Sequence, residues 1–138
     1  VFLARLLFLF IVSFCLRDAL ASNEGFSIGG FHQSFPGPYL FSPVTENIDL
    51  SKKDCLEFKW RRSDFVYTFR YEFRLYKGYQ QGAATLVLKR VVLPDEYPLS
   101  ISSSNFEEGQ VYTWALVQVL NDGRKSDKSF SSFKIKKK

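Results

Sequence analysis

Large apolar and charged residues alternate along two stretches of the chain. In C-L-E-F-K-W-R the apolar side chains of Leu56, Phe58 and Trp60 are separated by charged ones. The stretch Phe69 to Lys77 repeats the pattern, with Phe69, Tyr71, Phe73 and Leu75 against Arg70, Glu72 and Arg74. Successive side chains of a β-strand point to opposite faces of its sheet. Both stretches are therefore predicted to be half-buried antiparallel strands.

A third stretch, Phe106 to Val119, reads as the central strand of the sheet. The turn sequence Glu107-Glu108-Gly109 leads into Tyr112, Trp114 and Leu116, which recur at a period of two. A turn followed by large apolar residues at this period is typical of a loop that enters a buried strand.

Turn residues separate further short strands, and residues 22–138 contain no helical period. We expect a first strand around Tyr39-Leu40-Phe41, interrupted by Pro43, and a polar turn over residues 47–54. Three later strands are predicted: Thr85 to Leu93, an edge strand over Tyr97 to Ser103, and a last strand in which Phe133 and Ile135 point inward. Seven short strands joined by turns indicate a β-sandwich.

Residues 1–21 have the organisation of a secretory signal peptide. Arg5 precedes an apolar run from Leu6 to Leu16, and the small residues Ala19 and Ala21 follow it. The run is too short to span a bilayer comfortably, so no stable membrane insertion is expected after cleavage. This predicts a secreted, periplasmic or cell-surface protein, with a Gly- and aromatic-rich arm over residues 22–36 and a domain over residues 37–138.

The positive charge is concentrated at the C-terminus. The chain has a net charge of +5, and without residues 1–21 it is near +4. Four of the last five residues are lysines, which we expect to solubilise the end of an edge strand. The alternative is attraction to an acidic surface or polymer. Since no basic stripe is present, nucleic acid is not an expected partner.

The composition argues against metal, cofactor or disulfide chemistry. Only Cys55 remains outside the signal segment, so no intramolecular disulfide can form. We expect this thiol to be sheltered, the alternative being an intermolecular bridge. His32, the only histidine, lies in the arm without nearby ligand residues and is interpreted as an exposed loop residue.

Three sequence segments carry a family resemblance. The segments L-E-F-K-W, Y-E-F-R-L-Y-K-G and F-E-E-G-Q-V-Y-T-W-A-L-V-Q-V resemble the second, third and sixth strands of a fibronectin type III-like domain, in the variant common in exported bacterial proteins. The resemblance covers residues 37–135 and implies a seven-stranded antiparallel immunoglobulin-like sandwich. It also implies that Tyr112 is the tyrosine-corner residue, whose hydroxyl bonds to the backbone of the preceding turn. The implied structural residues are Trp60, Tyr71, Phe73, Phe106, Gly109, Tyr112, Trp114 and Leu116.

Two features depart from the family pattern. Gln118 occupies an inward position, whereas Val117 and Val119 face outward. Either the strand has a bulge after Leu116, or its outer face is covered; we favour cover by the N-terminal arm. The candidate contact residues are accordingly Val117, Val119, Tyr76, Tyr79 and Tyr97.

The expected function is that of a non-enzymatic exported binding module that makes protein–protein contacts at or outside the cell envelope. The alternative is carbohydrate binding through aromatic side chains, namely Tyr76, Tyr79, Tyr97, Phe31 and Phe35. Catalysis is not expected, because the sequence contains no G-x-S-x-G, no phosphate loop and no metal-ligand cluster.

Overall fold

A computed structural model describes residues 34–62 and 68–138. The expected signal peptide and most of the arm, including Phe31 and His32, lie outside the described residues, as do residues 63–67.

Two β-sheets make up the described part of the chain. Its eight strands are β1 (Leu40–Ser42), β2 (Asn47–Asp49), β3 (Cys55–Trp60), β4 (Thr68–Lys77), β5 (Leu86–Val92), β6 (Leu99–Ser102), β7 (Val111–Leu120) and β8 (Ser129–Lys136). Two short 3₁₀ segments, Pro94–Glu96 and Ser103–Asn105, flank β6. One sheet has the order β1-β3-β6, and the other has the order β2-β8-β7-β4-β5. The chain is therefore an all-β two-sheet sandwich.

The core lies between the two sheets and is mostly aromatic. Phe58 of β3 lies at its centre, with its ring centroid 4.9 Å from that of Phe73 and 5.1 Å from that of Trp114. The large side chains that the resemblance implied as structural core are buried: Trp60, Tyr71, Phe73, Phe106, Tyr112, Trp114 and Leu116. Phe133 and Ile135 of β8 are also buried, as their spacing predicted. Close packing of this kind makes each large ring costly to remove.

The edge of the larger sheet differs from the seven-strand expectation. Residues 47–49, expected to be part of a turn, form β2, which runs parallel to β8 and pairs Ile48 with Ile135. Strand β8 therefore lies inside the sheet, and its lysines do not protect an edge strand. The prediction was wrong because N-I-D is too short and too polar to show strand periodicity.

Two side chains that were expected to be buried are exposed. Phe69, expected on the inward face of β4, is 51% exposed. A register shift between Thr68 and Arg70 opposite β7 disturbs the alternation there. Cys55, expected to be sheltered, is exposed because it points outward at the start of β3.

Candidate functional site

The expected contact residues occupy different environments. Tyr76 and Val119 are buried, which corrects the expectation that they lie on a contact surface. In the sheet, Tyr76 lies between Leu86 and Thr113, and Val119 is paired with Arg70 and bridged to Lys125. Val117 is half-buried. Most side chains on the outer face of β7 are thus buried, which linear alternation cannot reveal.

The expected cover of Val117 and Val119 by the arm falls mostly on residues that the structure does not describe and stays a prediction. Phe35 forms an isolated parallel bridge with Ser126, and its carbonyl accepts a hydrogen bond of 2.8 Å from the Asp127 N–H. Phe35 and Pro36 line a cavity of about 720 Å³ together with Gln118 and Leu120, whose side chains are on the other face of β7. No bulge follows Leu116, since residues 116–119 pair in regular register with β4.

Gln118 is buried at an inward position, and its amide and backbone groups have hydrogen-bond partners. Its Nε2 donates to the Thr68 Oγ1 at 2.6 Å, and its backbone N–H donates to the Ser126 Oγ at 2.9 Å. A buried amide with hydrogen-bond partners avoids the desolvation penalty of an unpaired polar group.

Tyr39, Phe41 and Arg61 form an exposed cluster, here called the aromatic patch. Leu40 points toward the core and is paired with Trp60, so its two neighbours project outward; Tyr39 is 64% and Phe41 50% exposed. The two rings meet edge to face at 5.5 Å, and the Arg61 guanidinium lies 5.4 Å from the centroid of the Tyr39 ring. The Arg61 N–H also donates to the Tyr39 carbonyl at 2.7 Å.

Sequence reasoning missed the aromatic patch, although the signal was present. In Y-L-F the inward position of Leu40 places both flanking rings on the opposite face. The partner Arg61 comes from the end of β3, and only the pairing of β1 with β3 brings it to Tyr39.

Tyr79 is the expected contact residue with the greatest exposure, at 72%. It lines a cavity of about 260 Å³ whose other walls are mainly polar, formed by Thr45, Glu46, Asn47, Ser132 and Lys134 together with Val111 and Phe133. Gly78 has a φ of +84°, a conformation that favours glycine, and its carbonyl accepts a hydrogen bond from Thr113 Oγ1 at 2.7 Å. The base of the loop is thus held in place while the tyrosine ring projects.

The lining of this cavity also includes a strained residue, Thr45. Thr45 has a φ of +44°, which is unfavourable for a β-branched side chain. Its backbone N–H donates to the Ser132 carbonyl at 3.0 Å and the Ser131 Oγ at 3.2 Å. Glu46 accepts hydrogen bonds of 3.2 Å from Ser42 Oγ and from the Val44 N–H. The cavity therefore has a preformed polar lining as well as an exposed ring.

Tyr97 takes no part in either surface. It is half-buried, and its ring packs edge to face against Trp60 at 5.0 Å. The Arg62 guanidinium covers it at 5.2 Å from the ring centroid.

The carboxylates at the entry to β7 have separate partners. Glu107 Oε2 lies 2.9 Å from Lys77 Nζ, and this hydrogen bond raises the pKa of the Lys77 ammonium. Glu108 accepts a hydrogen bond from the Lys137 N–H. At the next turn, hydrogen bonds from the backbone and side chain of Arg124 lower the pKa of Asp122. These contacts stabilise turns.

Residues 34–62 and 68–138 contain no group of three or more His, Cys, Asp or Glu side chains placed to hold a metal ion. Within the same ranges, no helix has the length and apolar character needed to cross a membrane.

The fold defines the class of protein, an all-β two-sheet sandwich. The chain matches a structure described as fibronectin(III)-like modules of Clostridium thermocellum CbhA, with 20% identity and a TM-score of 0.48, over 73% of this chain and 97% of that one. The sequence resemblance named the same kind of module, and the all-β two-sheet sandwich that it implied is present in the structure. No family model and no curated protein matches the chain.

Proposed function

We propose that this protein is a non-enzymatic, exported binding module that contacts a protein partner through the aromatic patch. The observation that carries the proposal is the pair of large exposed rings, Tyr39 and Phe41, held in a fixed geometry with Arg61 over one ring. Tyrosine, phenylalanine and arginine are enriched in protein interfaces, and tyrosine and arginine recur among the residues that dominate binding energy.

The geometry of the patch favours a protein partner over a sugar. Stacking of a sugar ring requires a free aromatic face, whereas Arg61 occupies one face of Tyr39 and the two rings are inclined at 63°. The ring pair and the backbone bond between Arg61 and Tyr39 order the surface before binding, which lowers the entropic cost of association. The signal-peptide pattern of residues 1–21 supports action at or outside the cell envelope.

Site-specific photo-crosslinking tests this function. A photoreactive phenylalanine analogue is placed at Phe41 in the full chain expressed in its source cells, and at Phe130 in a matched control. Phe130 is 59% exposed and lies on the other sheet. We expect a discrete protein adduct from position 41 that disappears with Tyr39→Ala. Equal adducts from both positions, or none from position 41, would contradict the proposal.

Carbohydrate binding at the Tyr79 cavity is a second candidate function. Among the described residues, Tyr79 has no ring or cation partner, and the facing groups Glu46, Asn47 and Lys134 offer hydrogen-bond donors and acceptors. A free ring beside polar groups is the chemistry that recognises a sugar.

Titration with soluble polysaccharides tests the second candidate. We expect Tyr79→Ala to abolish a fluorescence change that Tyr39→Ala retains. Absence of binding across neutral and acidic polysaccharides, or equal binding by Tyr79→Ala, would exclude the cavity as the site.

A further inference from the structure

Strand β5 is the last strand of the five-stranded sheet. It pairs with β4 on one side, and no other strand of the described chain pairs with it on the other side. An edge strand presents a row of unpaired backbone N–H and C=O groups to which another strand can bond. The seven residues of β5, about 3.4 Å each, provide an extended template.

The side chains along this edge are unusually apolar for an exposed strand. Leu86 is 39% exposed, Val87 40%, Val91 55% and the following Leu93 42%. Both ends of the edge are therefore apolar.

The centre of the edge carries positive charge without a partner. Lys89 and Arg90 are adjacent in β5, and Arg74 of β4 lies directly across from Lys89. In the described part of the molecule, none of these three cations forms an ion pair, whereas Arg70 and Lys125 both contact Glu72. Like charges directly opposite each other destabilise a sheet, and an added carboxylate would relieve this repulsion.

The same charges disfavour pairing of two copies through this edge. A symmetric antiparallel β5–β5 contact centred on Lys89 places Lys89 against Lys89 and Arg90 next to it. Charge at the centre of an edge is a known protection against self-association. A strand that carries acidic residues at its centre meets no such repulsion.

We propose that β5 receives, by strand addition, an extended segment of a partner protein with acidic residues at its centre and apolar residues on either side. Backbone hydrogen bonds supply affinity in this mode of recognition, and the side chains select the partner. The proposal rests on the proposed protein-binding function but uses the opposite sheet from the aromatic patch, so either proposal can fail alone.

The probe is a fluorescein-labelled nine-residue peptide of alternating valine and threonine with Glu-Asp at its centre. Its binding to the full chain is measured by fluorescence anisotropy. We expect saturable binding that weakens at least tenfold in the double variant Lys89→Glu/Arg90→Glu. A peptide with Lys-Lys at its centre is expected to bind this variant better than the original protein. Amide resonances of residues 86–92 are expected to shift on binding.

Two controls separate strand addition from general charge attraction. The matched double variant Lys52→Glu/Lys53→Glu makes the same charge change at adjacent exposed residues outside both proposed surfaces and is expected to retain binding. A peptide N-methylated at alternate residues keeps its charge but loses one hydrogen-bonding edge, so its binding is expected to be lost. Equal binding of the N-methylated peptide, loss of binding in the Lys52/Lys53 variant only, or dimerisation of the unaltered chain through β5 would overturn the proposal.

Discussion

The hydroxyl of Tyr112 accepts a hydrogen bond of 2.9 Å from the backbone N–H of Glu107, five residues earlier in the chain. The bond closes the turn that leads into β7, and Gly109 within this turn has a φ of +73°. The Tyr112 ring is buried and packs edge to face against Phe106 at 5.1 Å. One side chain therefore links the turn to the core.

Two substitutions at Tyr112 separate the hydrogen bond from the ring. Tyr112→Phe leaves the Glu107 N–H without this acceptor and is expected to lower the free energy of unfolding by about 1 kcal/mol. Tyr112→Ala also leaves a cavity and is expected to cost about 3–5 kcal/mol. Urea denaturation measures both. Equal losses in the two variants would show that the ring contributes nothing beyond its hydroxyl.

Tyr112 also makes the stability of the protein depend on pH. Burial raises the pKa of the Tyr112 hydroxyl above its ordinary value of 10.0. The unfolded chain therefore releases this proton first, and stability is lost as pH rises from about 10 through the folded-state pKa. We expect the unaltered protein to lose more stability than Tyr112→Phe between pH 9 and pH 11, as measured by urea denaturation. Parallel pH profiles would contradict this assignment.

The two buried tryptophans differ in their hydrogen bonding. Trp114 Nε1 donates to the Pro43 carbonyl at 2.8 Å, whereas Trp60 Nε1 has no hydrogen-bond partner among the described residues. Both substitutions by phenylalanine remove similar volume, but only Trp114→Phe breaks a bond. It should therefore cost about 1–2 kcal/mol more than Trp60→Phe in chemical denaturation. A larger loss for Trp60→Phe would refute the role of the Pro43 contact.

Gln118 and Thr68 are expected to behave as one unit. Since the Gln118 Nε2 donates to Thr68 Oγ1 in a buried setting, Thr68→Val leaves the amide unpaired and should cost about 1–3 kcal/mol. Adding Gln118→Leu removes the unpaired amide, so the double variant should be more stable than Thr68→Val alone. A double-mutant cycle measures the coupling, and strictly additive losses would show that the bond is unimportant.

Gly37 has no space for a side chain. A Cβ at this position would contact Ser129 Oγ and lie 2.6 Å from the Asp127 carbonyl oxygen. Gly37→Ala is therefore expected to destabilise the protein by about 1–3 kcal/mol through overpacking, as judged by thermal unfolding. Gly82, whose Cβ would meet nothing within 4 Å, is the control, and Gly82→Ala should change the melting temperature little. Similar shifts in both variants would mean that the close approach at Gly37 is unimportant.

Alternation along single strands was sufficient to predict the core. Leu56, Phe58 and Trp60 are buried while Glu57 and Lys59 are exposed, because a period of two places each set on one face. The turn at Gly109 and the inward direction of Phe133 and Ile135 follow from similarly local patterns. The sequence by itself therefore determined the two-sheet sandwich and most of its interior.

Which outward residues stay exposed was decided only by tertiary structure. Tyr76 and Val119 are buried although the alternation places them on the outward face, and Phe69 is exposed beside a register shift. Strand β2 forms because β8 offers an edge, although N-I-D has little strand character of its own. The aromatic patch and the unpaired cations of β5 also depend on strand order, since residues distant in the chain become neighbours only when the sheets assemble. The direction of a side chain is a local property of its strand. Its burial and its interaction partners are properties of the assembled sheets.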